Sequence, residues 1–341
     1  MTREARSGTG MPYEDGSGGA SALGDEETLR PRSGTAPLAA PGGPAESCTP
    51  EGPDVPTRPA RVVETIVELR SQVAAARASG LSVGLVPTMG ALHNGHASLM
   101  RRARSENGLV VVSVFVNPTQ FDDRRDLATY PRTLEHDRQV AGQAGADLVF
   151  APSVAEMYPD GFATWVEVQR LTDHLCGASR PGHFRGVCTV VAKLFAICSP
   201  DRAYFGEKDF QQLAVIRRMT RDLNLPVEIV GCPTVREADG LALSSRNTRL
   251  TKVQREQAPV LFAALQEARH LVEGGERAAE VIVRRLSEIV HTAPLAVIDY
   301  VEVVDADSLQ PVQTLRGRCL LALAVRFGET RLIDSLVVEV P

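Results

Sequence analysis

The stretch LSVGLVPTMGALHNGHASLMRRARSE, residues 81–106, decides the reading of this chain. It opens on LSVGLVP, an apolar run of strand length, and closes on HASLMRRARSE, whose apolar residues recur at helical spacing. Between them lies PTMGALHNGH, residues 87–96, with Gly90, Gly95 and two histidines three residues apart. A strand giving way to a helix through such a loop is where doubly wound α/β folds bind ligands. A helix N-terminus offers unpaired N–H groups and about half a positive charge, so a phosphate can sit there. Gly95 permits close backbone approach, and His93 and His96 can donate further hydrogen bonds from one helical face. A polar Asn-Gly turn accounts for the same letters taken alone. A zinc site lacks carboxylate or thiolate partners nearby.

Outward from this unit the alternation continues. LVVVSVFV (109–116) reads as a strand, DRQVAGQAG (137–145) as part of a helix and ADLVFAP (146–152) as a strand. GVCTVVAKLFAIC (186–198) is helical, RAYF (202–205) a short strand, DFQQLAVIRRMTRDL (209–223) a helix and VEIVGCP (227–233) a strand. Alternation of this kind implies a Rossmann-like, doubly wound parallel sheet with helices on both faces. Upstream, RVVETIVELRSQVAAARASG (61–80) reads as helix ended by Gly80. Downstream, READGLALSSRNTRL (236–250) is a polar connection to two helical stretches, 254–273 and 277–291. Three strand-like runs follow: AVIDYVEVVD, RCLLALAVRF and TRLIDSLVVEV. The expected organisation is an α/β domain over 59–234 and a smaller α+β unit over 235–341 acting as a lid. Residues 1–58, rich in Gly, Pro, Ser, Ala and Thr and without periodicity, are expected to be a disordered extension.

Composition narrows the function. The net charge of −5 over 341 residues argues against general nucleic-acid binding. No apolar run approaches the roughly 18–20 residues of a membrane span. Six cysteines without a C-x-x-C pair, and no signal peptide, suggest reduced thiols in the cytoplasm. Of 37 basic residues only Lys193, Lys208 and Lys252 are lysine, so a lysine in a motif draws attention.

Four further motifs fall at strand ends or in the connection. YFGEKDFQQ (204–212) follows a presumed strand; Gly206 frees the backbone, Lys208 supplies a compact charge suited to phosphate, Asp209 starts a helix, and Gln211 and Gln212 add neutral donors and acceptors. LSSRN (243–247) sets two hydroxyls beside a guanidinium able to grip a polyphosphate. In FVNPTQF (115–121), Pro118 ends pairing and Gln120 can face the same cleft. RPGHFRGV (180–187) brings Arg180, His183 and Arg185 to a helix start as an anion-facing loop. Singly each also fits a solvated loop; together they define one nucleotide site.

The set PTMGALHNGH, FVNPTQF, YPRT, RPGHFRGV, FGEKDFQQL and TVREADGLALSSRN, in this order from about residue 60 onward, resembles the pantothenate synthetase family of the HxGH nucleotidyltransferase superfamily. The resemblance implies a pantoate–β-alanine ligase: ATP-dependent condensation of (R)-pantoate with β-alanine through a pantoyl adenylate, releasing AMP and pyrophosphate, in pantothenate and coenzyme A biosynthesis. It implies Mg2+ accompanying ATP and a homodimer, with metal ligands unknown. By resemblance His96 is the catalytic histidine, labelled proton donor, with His93 and Lys208 beside it. ATP is assigned to Met89, Gly90, Ala91, Leu92, His93, Asn94, Gly95 and His96, to Gly206, Glu207, Lys208 and Asp209, and to Val235, Leu243, Ser244, Ser245 and Arg246. Pantoate is assigned to Gln120 and Gln212, β-alanine to Gln120. The competing readings are an HxGH adenylyltransferase of a related pathway, which would not be expected to carry FVNPTQF with FGEKDFQQ, and a non-catalytic ATP-binding homologue.

Overall fold

The computed structural model describes residues 59–340; the extension expected over 1–58, and Cys48 with it, lie outside the described residues. The parallel sheet expected from the alternation has six strands: β1 (Arg61–Val63), β2 (Val83–Thr88), β3 (Leu109–Val114), β4 (Leu148–Phe150), β5 (Arg202–Gly206) and β6 (Glu228–Cys232). Their spatial order is β1-β4-β3-β2-β5-β6, and every pairing is parallel. From β2 the chain runs through β3 to β4 on one side, then crosses back to β5 and β6 on the other. The topological switch therefore lies between β2 and β5, and ligands bind beyond the carboxyl ends of strands at such a point.

Burial on both faces explains why these strands read as continuous apolar runs. Val83 and Leu85 of β2 point into one core, shared with the helices Ile66–Ala78, His183–Cys198 and Phe210–Asp222. Val86 points into the other, with Leu99, Met100 and Ala103 of the helix Asn94–Glu106 and Ala141 of the helix Leu134–Gln143.

Two local expectations are corrected. Residues 61–80 are not helical throughout: Arg61–Val63 form the edge strand β1, paired with β4, and the helix begins after Thr65, whose side chain accepts the Glu68 N–H at 3.2 Å. Three residues are too few for a period of 2 to stand out from one of 3.6. The stretch 254–273 is two helices, Lys252–Gln257 and Val260–Glu273, broken at Ala258 and Pro259. Proline has no N–H for the helical ladder.

The C-terminal runs form an antiparallel sheet in the order β7 (Ala296–Asp305), β8 (Gly317–Phe327), β9 (Thr330–Val340). The central strand β8 is apolar on both faces for a reason. Leu320 and Ala322 join the core of the parallel sheet, while Cys319, Leu321, Leu323 and Val325 pack on the helix pair Val260–Glu273 and Ala279–Val290. Where the polar connection meets β9, Arg236 makes a bidentate pair with buried Asp334 (2.6 and 2.9 Å) and lies over the Phe262 ring. Among the described residues no helix is long and apolar enough to cross a membrane, and all five described cysteines are free and buried.

Candidate active site

Beyond β2 the chain turns through Met89–Leu92 into a helix whose N-cap is His93. The cap is built from imidazoles. His93 Nδ1 accepts the Gly95 N–H at 3.1 Å, and His96 Nδ1 accepts the His93 N–H at 3.3 Å. With each Nδ1 accepting, the ring proton of either neutral imidazole sits on Nε2. The two rings lie 4.0 Å apart between centroids, tilted by 38°. A Cβ on Gly95 would stand 2.9 Å from His93 Cε1, so this glycine makes room for the His93 ring.

Burial and the nearby Lys208 ammonium pull His93 from 6.5 down to about 4. Burial, His93 and Lys208 pull His96 down to about 3. Charging either ring removes hydration that the site does not replace, and does so beside a cation. At neutral pH both are therefore uncharged Nε2–H donors.

The loop's backbone is equally committed. Gly90 N–H is 3.2 Å from Thr88 Oγ1, and the Ala91 and Leu92 N–H groups donate to the Asp137 carboxylate at 3.1 and 2.8 Å. The Gly90, Ala91 and Leu92 N–H groups ahead of the helix are thus taken, and the imidazoles add Nε2–H donors to what the helix N-terminus offers.

Across the switch point, β5 ends at Gly206 and the turn Glu207–Asp209 leads into the helix Phe210–Asp222. Lys208 Nζ, mostly buried, lies 3.8 Å from Asp209 Oδ2. From the connection, the Leu243 N–H donates to the Val235 carbonyl at 2.9 Å, and Ser244 Oγ caps the turn Ser245–Arg249 by accepting the Arg246 N–H. Buried Tyr130 lines the same cavity as Ser245. Asp126 takes Arg246 on one oxygen (3.0 Å) and Arg249 on the other (2.6 Å), and the guanidiniums hold its carboxyl below the usual range despite burial.

Gln120, also buried, donates from Nε2 to Met89 Sδ at 3.0 Å and accepts from Asn117 Nδ2 at 3.0 Å. Its backbone carbonyl accepts the Nδ1–H of His183 at 2.8 Å; His183 Nε2 in turn accepts from Arg180 Nη1, and Arg180 pairs with Asp122 at 3.0 Å. Burial and the Arg180 charge lower His183 to about 4.

These parts face one cavity of about 230 Å³. Of the residues singled out in the sequence, Met89, His93, Gly95, His96, Gln120, Gly206, Lys208, Asp209, Gln212, Val235, Leu243, Ser244, Ser245 and Arg246 line it, as do Arg180 and His183. Gly90, Ala91, Leu92, Asn94, Glu207, Arg185 and Gln211 do not: Arg185 lies over the Trp165 ring and Gln211 donates to the Leu171 and His174 carbonyls. Leu92 is instead a core residue and Asn94 is exposed. Sequence reasoning missed Asp126, Tyr130 and Asp137, all on the polar stretch after FVNPTQF. The motif YPRT was the signal that could have led to them. A second cavity of about 540 Å³ adjoins the first across Lys208, Gln212 and Arg246 and reaches Arg326 and Arg331 of the C-terminal sheet.

The family model described as pantoate-beta-alanine ligase matches residues 61–337. The chain belongs to this family. The pantothenate synthetase of Moorella thermoacetica is 59% identical over 279 residues, covering 82% of this chain and 99% of that protein. The one from Heliobacterium modesticaldum is 58% identical over 280 residues, 82% of this chain and 100% of that one. Among solved family structures, the Thermus thermophilus protein superposes with a TM-score of 0.77 at 51% identity, covering 81% of this chain and 98% of that chain. The Francisella tularensis pantoate-beta-alanine ligase, complexed with β,γ ATP and β-alanine, gives 0.68 at 36% identity, over 82% and 97%.

Proposed function

We propose that this chain joins (R)-pantoate to β-alanine in two steps in the 230 Å³ cavity. The pantoate carboxylate attacks the α-phosphorus of ATP and pyrophosphate leaves; the β-alanine amine then attacks the acyl carbon of the adenylate and AMP leaves. The observation carrying this reading is the pair of neutral imidazoles on the β2 side of the switch facing Lys208 and the Ser244–Arg246 turn, with two neutral glutamines beside them.

The donors act where charge develops, on the phosphoryl oxygens of the first step. His93 and His96 hold hydrogen bonds there through Nε2–H and need no charge to do so. Lys208, Ser244, Ser245 and Arg246 take the departing phosphates, Arg246 exchanging Asp126 for a phosphate oxygen. Gln120 and Gln212 hold pantoate without an ion pair, which leaves its carboxylate nucleophilic. The β-alanine amine, with a pKa near ~10 by analogy with lysine, must attack as the free base. A histidine lowered to about 3 or 4 is too weak a base to deprotonate it. Orientation of the two reactants supplies up to about 7–11 kcal/mol and carries this step.

Mg2+ accompanies ATP in this proposal. No group of three or more His, Cys, Asp or Glu among the described residues is arranged to hold an ion. That suits a cation held mainly by phosphate oxygens and water, and no step is assigned to it. The proposal includes a homodimer in the cytoplasm, a boundary near Val235, and residues 235–341 as a lid.

The test measures AMP and pyrophosphate release from ATP and pantoate, with and without β-alanine. AMP release that depends on β-alanine supports the reading. Adenylyl transfer to a phosphate acceptor with no use of β-alanine, or no turnover at all, overturns it.

A further inference from the structure

YPRT (residues 130–133) begins a helix, Leu134–Gln143, whose first turn carries Asp137. Asp137 has none of its surface exposed, so it touches no nucleotide. Its partners are the Ala91 N–H on Oδ2 (3.1 Å), the Leu92 N–H on Oδ1 (2.8 Å) and the Thr133 hydroxyl on Oδ1 (3.2 Å). An ionised carboxylate only accepts hydrogen bonds, and one buried this deeply persists only when donors surround it.

We propose that Asp137 is a positioning residue for ATP: its carboxylate holds the Gly90–Leu92 turn in a left-handed form and thereby aims the His93 and His96 Nε2–H groups into the cavity. The proposal rests on the assignment of residues 89–96 to the nucleotide.

Three observations carry it. Gly90 and Ala91 both have positive φ, +84° and +51°, and for alanine that conformation costs energy that a tertiary contact must offset. A Cβ on Gly90 would stand 2.9 Å from Asp137 Oδ2, so the glycine is required by the carboxylate behind it. The Leu92 N–H held by Asp137 is one residue before the N-cap His93, whose N–H orients His96. Displacing the carboxylate therefore moves both rings together. By taking the Ala91 and Leu92 N–H groups, Asp137 also removes two backbone donors, so the imidazoles carry more of what this loop offers a phosphate.

The experiment compares the full chain with Asp137→Asn and Thr133→Val. It reads ATP affinity by calorimetric titration without pantoate, kcat and KM for all three substrates, and cooperative thermal unfolding. Asparagine keeps the size but turns an amide donor toward a backbone donor. Asp137→Asn should weaken ATP binding on the order of 10- to 100-fold while leaving the β-alanine KM within about twofold. Folded Asp137→Asn that binds ATP within about threefold of wild type, or that loses all three substrates equally, overturns the proposal. Should Asp137→Asn not fold, Thr133→Val decides: it removes one donor and should weaken ATP about 3- to 10-fold with β-alanine unaffected, and unchanged ATP binding overturns the proposal. A wild-type chain that binds no ATP overturns the loop assignment and this proposal with it. ATP binding without pantothenate formation overturns the reaction alone.

Discussion

Lowering the pH from 7 to 5 should destabilise this fold through its neutral histidines before its carboxylates titrate. His96 and His183 fall from 6.5 to about 3 and about 4 on folding, each with burial as the largest cause. The unfolded chain takes up these protons first, so stability is complete above pH 6.5 and is lost as pH falls toward the folded values. At pH 5 an unfolded histidine is almost fully protonated and these two remain almost fully neutral, which corresponds to about 2 kcal/mol each. His93 adds a smaller amount, because its ring opens further onto the solvated cavity. A total near ~4 kcal/mol is a large part of the 5–15 kcal/mol that holds an ordinary domain together. Urea unfolding at pH 7, 6 and 5 measures it directly. His183→Gln, which gives up one of the two larger contributions, should flatten the slope by roughly 2 kcal/mol over the range. A wild-type profile flat to within about 0.5 kcal/mol, or imidazole 15N shifts of His96 titrating near pH 6.5, would refute the reasoning.

Three other outcomes are expected. His96→Ala or Lys208→Ala should cut kcat on the order of 10²-fold or more with the melting transition retained, and near-normal turnover of either would remove it from the catalytic set. Asp334→Ala leaves the Arg236 guanidinium without its bidentate partner and should cost about 3–5 kcal/mol in urea unfolding; a loss below ~1 kcal/mol would show that the pair contributes no more than a surface bridge. Deleting residues 1–58 should leave kcat and the three KM values intact, since the match to the Heliobacterium protein covers 82% of this chain and 100% of that one. A large fall in kcat on truncation would contradict this.

The parallel sheet was legible because its inner strands are buried on both faces and bounded by glycines and helix starts. Val83–Thr88 and Leu109–Val114 lie within the apolar runs that announced them or one residue beyond. β1 was not legible, since Val62 and Val63 fit a helix as well as a strand until β4 lies alongside. The same limit governs the site. Four of the five motifs sit at a strand end or in the connection, which topology gathers at one edge; RPGHFRGV, expected at such a place, instead joins the helix Leu175–Ser179 to the helix His183–Cys198 and still brings Arg180 and His183 to the cavity. Asp126, Tyr130 and Asp137 belong to a polar stretch that reads as a solvated surface; the partners of Asp126 and Asp137, Arg246 and Leu92, are more than forty residues away, and Tyr130 reaches the site only by lining its cavity.

What sequence could supply at the helix start was the dipole and its N–H groups; what it could not supply was that an imidazole takes the Gly95 N–H and that Asp137 takes two N–H groups of the loop ahead of it. A helix beginning with Ser or Asp as N-cap satisfies one orphan donor with an oxygen and leaves its dipole facing the cleft. Here the N-cap is His93, and its Nδ1 spends its lone pair on the Gly95 N–H, which fixes the proton on Nε2. The same exchange holds for His96. Capping and catalysis are thus carried by opposite nitrogens of the same rings, so a change that loosens the cap also frees the tautomer. That coupling explains why this loop needs a buried carboxylate behind it: Asp137 fixes the turn from which both imidazoles hang, and burial, with Lys208 nearby, keeps them uncharged and their Nδ1 atoms able to accept. Protonating either ring would break the cap before it could donate a second proton to a phosphate.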